Sequence, residues 1–148
     1  MKVIHTQGKR KQAIARATLR DGKGNVRING QYLDNYSTEI SRLRIKEPLV
    51  LVGDVAKKVN IDVTVIGGGE NGQADAARLA MARALVIYDN KFKKTFDDYD
   101  RLLLVADVRR KEVCKPNDSK ARAKRQKSYR WFLIIPNGIR QKSYPKWR

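Results

Sequence analysis

Residues 59–88, VNIDVTVIGGGENGQADAARLAMARALVIY, predict a strand, a glycine turn and a helix in one continuous segment. From Val59 to Val65, β-branched residues alternate with polar ones, which predicts a strand with one buried and one exposed face. From Gln73 to Tyr88, Ala and Leu recur at helical spacing, so this helix has a small-residue face that can lie close to a sheet. The segment therefore predicts a strand and a helix that can pack against a sheet.

The residues before this segment are expected to extend the sheet. Residues 3–5 and 12–20 are predicted to be extended, and Asp21-Gly22-Lys23-Gly24-Asn25 is a strong turn signal. Residues 26–28 alternate after that turn. Together these features suggest a hairpin between residues 12–20 and 26–28.

Further helices and a strand are predicted on either side. Residues 38–46 predict a helix that Thr38 can cap, and Glu47-Pro48 is expected to end it. A weaker helix is expected around residues 92–96. Residues 102–106, LLLVA, predict a buried strand.

The positive charge lies at the two ends of the chain. The net charge is +18; residues 1–20 hold six Lys and Arg and no acid, and residues 109–148 hold fourteen against two acids. The body between them has thirteen residues of each sign. Clustered cations create a local field that attracts a polyanion, so nucleic acid is the expected partner. Residues 109–130 are too charged to bury a core and are expected to be extended unless bound.

Several protein classes are disfavoured by composition. No apolar run approaches 18 residues, and the first twelve residues lack the apolar stretch of a signal peptide, so a soluble cytoplasmic protein without a membrane partner is expected. The single Cys114 cannot form an internal disulfide, and no CxxC or Cys/His cluster could hold zinc. We therefore expect no metal and no cofactor.

The glycine run raises the alternative of a dinucleotide-binding enzyme. Gly67-x-Gly69-x-x-Gly72 matches the GxGxxG fingerprint between a predicted strand and helix. However, the preceding strand alternates instead of being apolar throughout, and no acid follows at the expected distance on a second strand. A tight connection, or one whose backbone N–H groups receive a phosphate of a larger nucleic acid, fits better.

Other catalytic arrangements have less support. His5 is the only histidine, and the neighbouring carboxylates of Asp97-Asp98-Tyr99-Asp100 diverge on any regular element. A protein without enzymatic activity is expected.

Five blocks of sequence resemble one family in order and spacing. They are GKRKQAIARA (8–17), VRING (26–30), GGG-x-x-GQA-x-AAR (67–78), YDR (99–101) and KSYR (127–130). Over about residues 2–130 the chain is similar to the small-subunit ribosomal protein nine family in its archaeal and eukaryotic form.

The resemblance implies a fold, a function and partners. The expected fold is α+β, of the two-layer ribosomal S5 domain 2-like kind, with a four-stranded sheet, helices on one face and a long, extended basic carboxyl tail. The implied protein is a structural constituent of the small ribosomal subunit that binds ribosomal RNA and neighbouring proteins in the subunit head. Its tail would approach the anticodon stem-loop of the peptidyl-site tRNA. A free basic nucleic-acid-binding protein remains an alternative.

Motif matching assigns the expected RNA contacts. Ser128, Tyr129 and Arg130 would be the part of the tail that contacts tRNA, with Arg130 matching the family's terminal arginine. The expected ribosomal RNA contacts are Lys9, Arg10, Lys11, Arg16, Gly67, Gly68, Gly69, Gly72, Gln73, Arg109, Arg110, Lys120, Arg122, Lys124, Arg125 and Lys127.

Three regions are thus expected: a globular RNA-binding domain (1–108), an extended basic tail (109–130) and an atypical extension (131–148). The extension contains the apolar run WFLII and repeats at 140–144 the phrase RQKSY of 125–129. It could act with Arg148 as a new terminal contact, fold back and leave Arg130 as the contact, or be an unselected read-through or duplication product. The last two are favoured, because 18 extended residues at about 3.3 Å each would overshoot the tRNA.

Overall fold

The computed structural model describes residues 3–114, 116 and 121–122, and the chain divides into two compact units, residues 1–111 and 112–148. The helices and strands of the described residues lie in the first unit. The strands are β1 (Ile4–Arg10), β2 (Ala13–Asp21), β3 (Val26–Ile28), β4 (Gln31–Tyr32) and β5 (Val59–Ile66). The α-helices are α1 (Glu39–Val52), α2 (Glu70–Tyr88) and α3 (Phe92–Tyr99), and short 3-10 helices cover Leu33–Asn35, Gly53–Lys58 and Arg101–Leu103.

The strands form one mixed sheet in the order β1-β2-β5-β3-β4. β2 pairs antiparallel with both β1 and β5, while β3 pairs parallel with β5 and antiparallel with β4. The sheet has five strands and not the expected four, since the short β4 adds to the edge. The expected hairpin between 12–20 and 26–28 is wrong, because β5 lies between β2 and β3.

Helix α2 covers one face of the sheet, as its alanine pattern predicts. Val59, Ile61, Val63 and Val65 of β5 are all buried, which confirms the predicted strand and its buried face. A Cβ at Gly8 would lie 2.1 Å from the carbonyl oxygen of Ala76, so β1 and α2 approach more closely than any side chain would allow. The result is a two-layer α+β domain.

Helix α1 continues past the predicted stop. It begins after Thr38, whose backbone is extended, and it runs through Pro48 to Val52. The Thr38 hydroxyl donates to the Ser41 hydroxyl (3.0 Å) and makes no hydrogen bond to a backbone N–H of the helix. Pro48 lies among the buried residues of the helix, and its place in the core outweighs the lost backbone hydrogen bond.

The segment after α2 contains one confirmed and one wrong prediction. The expected helix at 92–96 is α3, and Phe96 is completely buried. The expected strand at 102–106 is instead a 3-10 helix followed by irregular chain. The Asp100 carboxylate accepts from the backbone N–H of Leu102 (2.8 Å), and the Arg83 guanidinium donates to the carbonyl of Leu104 (3.0 Å). Asp100 and Arg83 thus hydrogen-bond backbone groups that would pair with a neighbouring strand if this segment belonged to a sheet.

Candidate nucleic-acid interface

A basic cleft of about 910 Å³ lies where the β1–β2 turn, the start of α2 and residues 109–111 meet. Lys11 sits in that turn, between the ends of β1 and β2, and its side chain is exposed. Arg109, Arg110 and Lys111 contribute exposed side chains from the segment that follows the folded elements. The remaining lining comes from Arg10, Gln12, Gly68, Gly69, Glu70, Asn71 and Gly72.

The floor of the cleft is the glycine turn before α2. Gly67 and Gly68 have φ of 74° and 71°, in the region where L side chains are strained. A Cβ at Gly68 would lie 2.9 Å from both the nitrogen and the Cβ of Ala13. These two glycines therefore let the turn pack directly on the β1–β2 hairpin, which brings the start of α2 close to Arg10 and Lys11.

Gln73 holds the turn from inside α2. Its amide donates to the carbonyl of Gly67 (3.2 Å), and its amide oxygen accepts from the hydroxyl of Tyr36 (3.1 Å). Gln73 thus fixes the shape of the turn in the free protein.

Gly69 is the N-cap residue of α2, and no side chain caps the helix there. The first N–H groups of a helix lack intrahelical partners and carry a partial positive charge, so such an end suits an anion. Glu70 also faces this cleft and accepts a hydrogen bond from the hydroxyl of Ser37. The carboxylate is thereby engaged by a neighbour.

Asp107 fixes the start of the basic segment. Its side chain is 7% exposed, and an Oδ2 oxygen lies 2.7 Å from Nη1 of Arg10. The same carboxylate accepts from the backbone N–H of Arg109 (2.8 Å) and from the Arg109 guanidinium (Nε 2.9 Å, Nη2 2.7 Å). These hydrogen bonds from Arg109, with the charge of Arg10, lower the pKa of Asp107 to about 2.

Arg10 therefore has a different environment from Lys11. Its side chain is 18% exposed and lies between Asp107 and Asp75, with Nε 3.5 Å from Asp75 Oδ2. Asp75 is shared with Arg44 of α1 (3.3 Å). The guanidinium of Arg10 thus joins β1, α1 and α2 to the root of the basic segment, and its predicted contact with RNA stays a prediction.

Lys9 and Arg16, also predicted to contact RNA, lie on the opposite face of the sheet from α2. Successive strand residues point to opposite faces, and the buried Ala13, Ala15 and Ala17 face the helix. Arg16 stands between Gln7 of β1 and Thr64 of β5, and it is exposed. The structure brings Lys11, Gly68, Gly69, Arg109 and Arg110 together but leaves Lys9 and Arg16 on a second surface.

The tail predictions largely lie beyond the described part of the chain. Arg122 is described in the second unit, where its Nη2 lies 2.6 Å from Glu112 Oε1. Lys120, Lys124, Arg125, Lys127, Ser128, Tyr129, Arg130 and the extension at 131–148 lie outside the described residues.

Comparison with known proteins identifies the family. The sequence model described as ribosomal protein S9/S16 matches residues 8–130. The chain belongs to this family. It is 48% identical to the small ribosomal subunit protein uS9 of Pyrobaculum aerophilum over 87% of this chain and 92% of the relative. It is 52% identical to uS9 of Picrophilus torridus (83% and 94%) and 46% identical to uS9 of Methanothrix thermoacetophila (88% and 100%).

Membership of this ribosomal protein family agrees with the expectation of a protein that is not an enzyme. The alternative of a dinucleotide site also conflicts with the sheet. Among the described residues no strand follows α2, whereas the fingerprint belongs to the first strand of a parallel βαβ unit that continues into a second strand. Gly67 and Gly68 are instead needed because the turn packs so closely against the β1–β2 hairpin that a side chain at either position would not fit.

Some residues of the basic cleft and of the sheet face that carries Arg16 were not identified from the sequence. Lys111 continues the run of Arg109 and Arg110, and that run was a sufficient signal for it. The alternating pattern of β2 could have placed Arg20 beside Arg16 on one face. The pairing of Asp107 with Arg10 had no sequence signal, because the two residues lie far apart in the chain.

Within the described ranges, every helix is too short or too polar to span a membrane. The same part of the chain contains no group of three or more His, Cys, Asp or Glu side chains that could hold a metal ion.

Proposed function

We propose that the protein is a structural constituent of the small subunit of the cytoplasmic ribosome, where it binds ribosomal RNA and neighbouring ribosomal proteins. The family match over residues 8–130 carries this proposal, because the similar proteins are named as small ribosomal subunit proteins. The charge distribution supports it independently, since the two cationic ends suit a polyanionic partner.

In this proposal the basic cleft receives the RNA backbone. Lys11, Arg110 and Lys111 supply exposed cations around a helix end whose first N–H groups lack intrahelical partners, and this combination suits phosphate oxygens. The ion pair between Arg10 and Asp107 sets where the segment leaves the folded unit. Phosphate contacts fix position and carry no sequence information, so the shape of the RNA would determine the fit.

The carboxyl tail extends the same chemistry. Residues 1–108 are the globular domain, residues 109–130 the RNA-binding tail, and residues 131–148 an extension beyond the matched family region. The resemblance supports an approach of Ser128, Tyr129 and Arg130 to the anticodon stem-loop of the peptidyl-site tRNA. Arginine and tyrosine suit that contact, since one pairs with phosphates and the other stacks on a base or ribose.

Sedimentation of cell lysate through a sucrose gradient tests the function. The protein should sediment with the small subunit, and its absence from that fraction would favour a free nucleic-acid-binding protein. For the cleft, Arg110→Gln should weaken binding of purified protein to ribosomal RNA and make the dependence of log K on log salt shallower by about one. Lys93→Gln on the exposed surface of α3 is the charge-matched control. Equal salt dependence in both variants would remove the cleft from the interface.

A further inference from the structure

The face of the sheet opposite α2 has no covering element among the described residues. The side chains that stand on it come from all five strands, and most are exposed. They form rows across the sheet: Lys9, Ile14 and Ile66; then Gln7, Arg16 and Thr64; then His5, Thr18, Asp62, Arg27 and Tyr32. We call this surface the open sheet face.

The charge of the open sheet face is strongly positive. Lys9, Arg16, Arg20 and Arg27 stand on it, while within the described strands Asp62 is its only acidic side chain. Arg16 lies between neutral neighbours and makes no ion pair with the described residues. A protein partner would therefore need a matching acidic surface, whereas a nucleic acid satisfies the charge along its whole length.

Apolar and aromatic groups at both ends of the open sheet face favour a single-stranded nucleic acid over a duplex. Ile14 and Ile66 are cross-strand neighbours that are 38% and 60% exposed, and Tyr32 is 49% exposed. The guanidinium carbon of Arg27 lies 4.9 Å from the centroid of the Tyr32 ring, and its Nη2 donates to the Tyr32 hydroxyl (3.0 Å). A duplex offers mainly phosphates and would leave these groups in water, while unpaired bases can stack on tyrosine, arginine and aliphatic side chains.

We propose that the open sheet face binds an unpaired segment of RNA, with a base stacked at Tyr32 and Arg27, phosphates at Arg16 and Arg20, and another base or ribose on Ile14 and Ile66. His5 and Thr18, whose Nδ1 and hydroxyl lie 3.1 Å apart, are polar groups between the cations that can hydrogen-bond base edges. This second contact rests on the proposed function for its RNA partner but uses residues outside the basic cleft.

Binding of the purified full-length protein to a 12-nucleotide unstructured RNA and to a duplex of equal length tests the affinity. Tyr32→Ala should weaken binding of the single strand by about 5- to 100-fold, as for the loss of one base stack, and should affect the duplex far less. Arg16→Gln should make the salt dependence shallower by about one. Lys93→Gln is again the control, and circular dichroism checks that each variant is folded. Single-strand affinities of Tyr32→Ala and Arg16→Gln equal to that of the control would overturn the proposal.

Photocrosslinking in small subunits isolated from cells identifies the occupant. A photoreactive phenylalanine analogue replaces Thr64 at the centre of the open sheet face, and the same analogue at Asn71 reports on the cleft. Crosslinks from position 64 to unpaired ribosomal RNA support the proposal, and crosslinks only to protein or to paired RNA overturn it. If the protein does not sediment with small subunits, the proposed function fails, and the affinity measurement still decides the open sheet face.

Discussion

Alanine at Gly68 should destabilise the protein, whereas alanine at Gly69 should not. Gly68 has φ of +71°, and its added Cβ would lie 2.9 Å from the backbone nitrogen and Cβ of Ala13. Ala13 is fully buried and is held by its pairing with Arg10 at the end of β1, so it has little room to move. Gly69 has φ of −106°, and its Cβ would meet nothing within 4 Å.

The magnitude follows from these two differences. An alanine forced into a left-handed backbone costs about 1–2 kcal/mol, and an overpacked contact typically costs about 1–3 kcal/mol more. A glycine-to-alanine change also lowers the conformational entropy of the unfolded chain, which by itself stabilises the folded protein by about 0.4–1 kcal/mol. The free energy of unfolding should therefore fall by about 1–4 kcal/mol in Gly68→Ala and should stay level or rise slightly in Gly69→Ala.

Urea unfolding of both full-length variants, followed by far-ultraviolet circular dichroism at one pH and salt concentration, measures this difference. The midpoint should fall in Gly68→Ala with an unchanged slope m, as expected for lost stability without a change in exposed surface. Free energies of unfolding within about 0.5 kcal/mol of each other would show that the turn relaxes at little cost. The close contact between the turn and the hairpin would then have no energetic importance.

Two predictions concern the tail and pH. Truncation after Arg130 should leave small-subunit assembly and peptidyl-site tRNA affinity intact, while truncation after Lys120 should preserve assembly and weaken tRNA binding in a filter assay. A strong loss of affinity from the first truncation would assign a function to residues 131–148. The carboxylate of Asp107 has a folded pKa of about 2, below its ordinary 3.8, so it stabilises the protein above about pH 4 and loses this effect as the pH falls through 2. Between pH 4 and 2, urea midpoints should fall more steeply in the natural protein than in Asp107→Asn, and parallel curves would contradict the assignment.

The elements with a strong local pattern were predictable from the sequence. β5 alternates over its whole length, and α2 has a helical repeat of alanine that agrees with its packing on the sheet. The glycine turn between them was recognised too, although its φ angles and its contact with Ala13 depend on the hairpin that lies beneath it.

The errors arose where distant residues decide the structure. The predicted turn after β2 exists, but it does not join two paired strands. The Asn60 side chain of β5 accepts from the backbone N–H groups of Lys23 and Asn25 in this turn, at 2.9 and 3.0 Å. That contact accompanies the insertion of β5 between β2 and β3, which no local turn signal encodes. At the candidate site, the pattern of charges could identify Arg10 as basic but could not show that it meets Asp107.

The position of β5 also determines when the sheet can form while the chain is being synthesised. β2 and β3 leave the exit tunnel before β5, and each lacks its partner on one side until residue 66 has emerged. A nascent chain that ends before residue 59 therefore has two unpaired strand edges, and such edges invite pairing with other chains. The central place of β5 keeps the sheet incomplete until residue 66 has emerged, and a chaperone that shields those two edges would act on the chain within that interval.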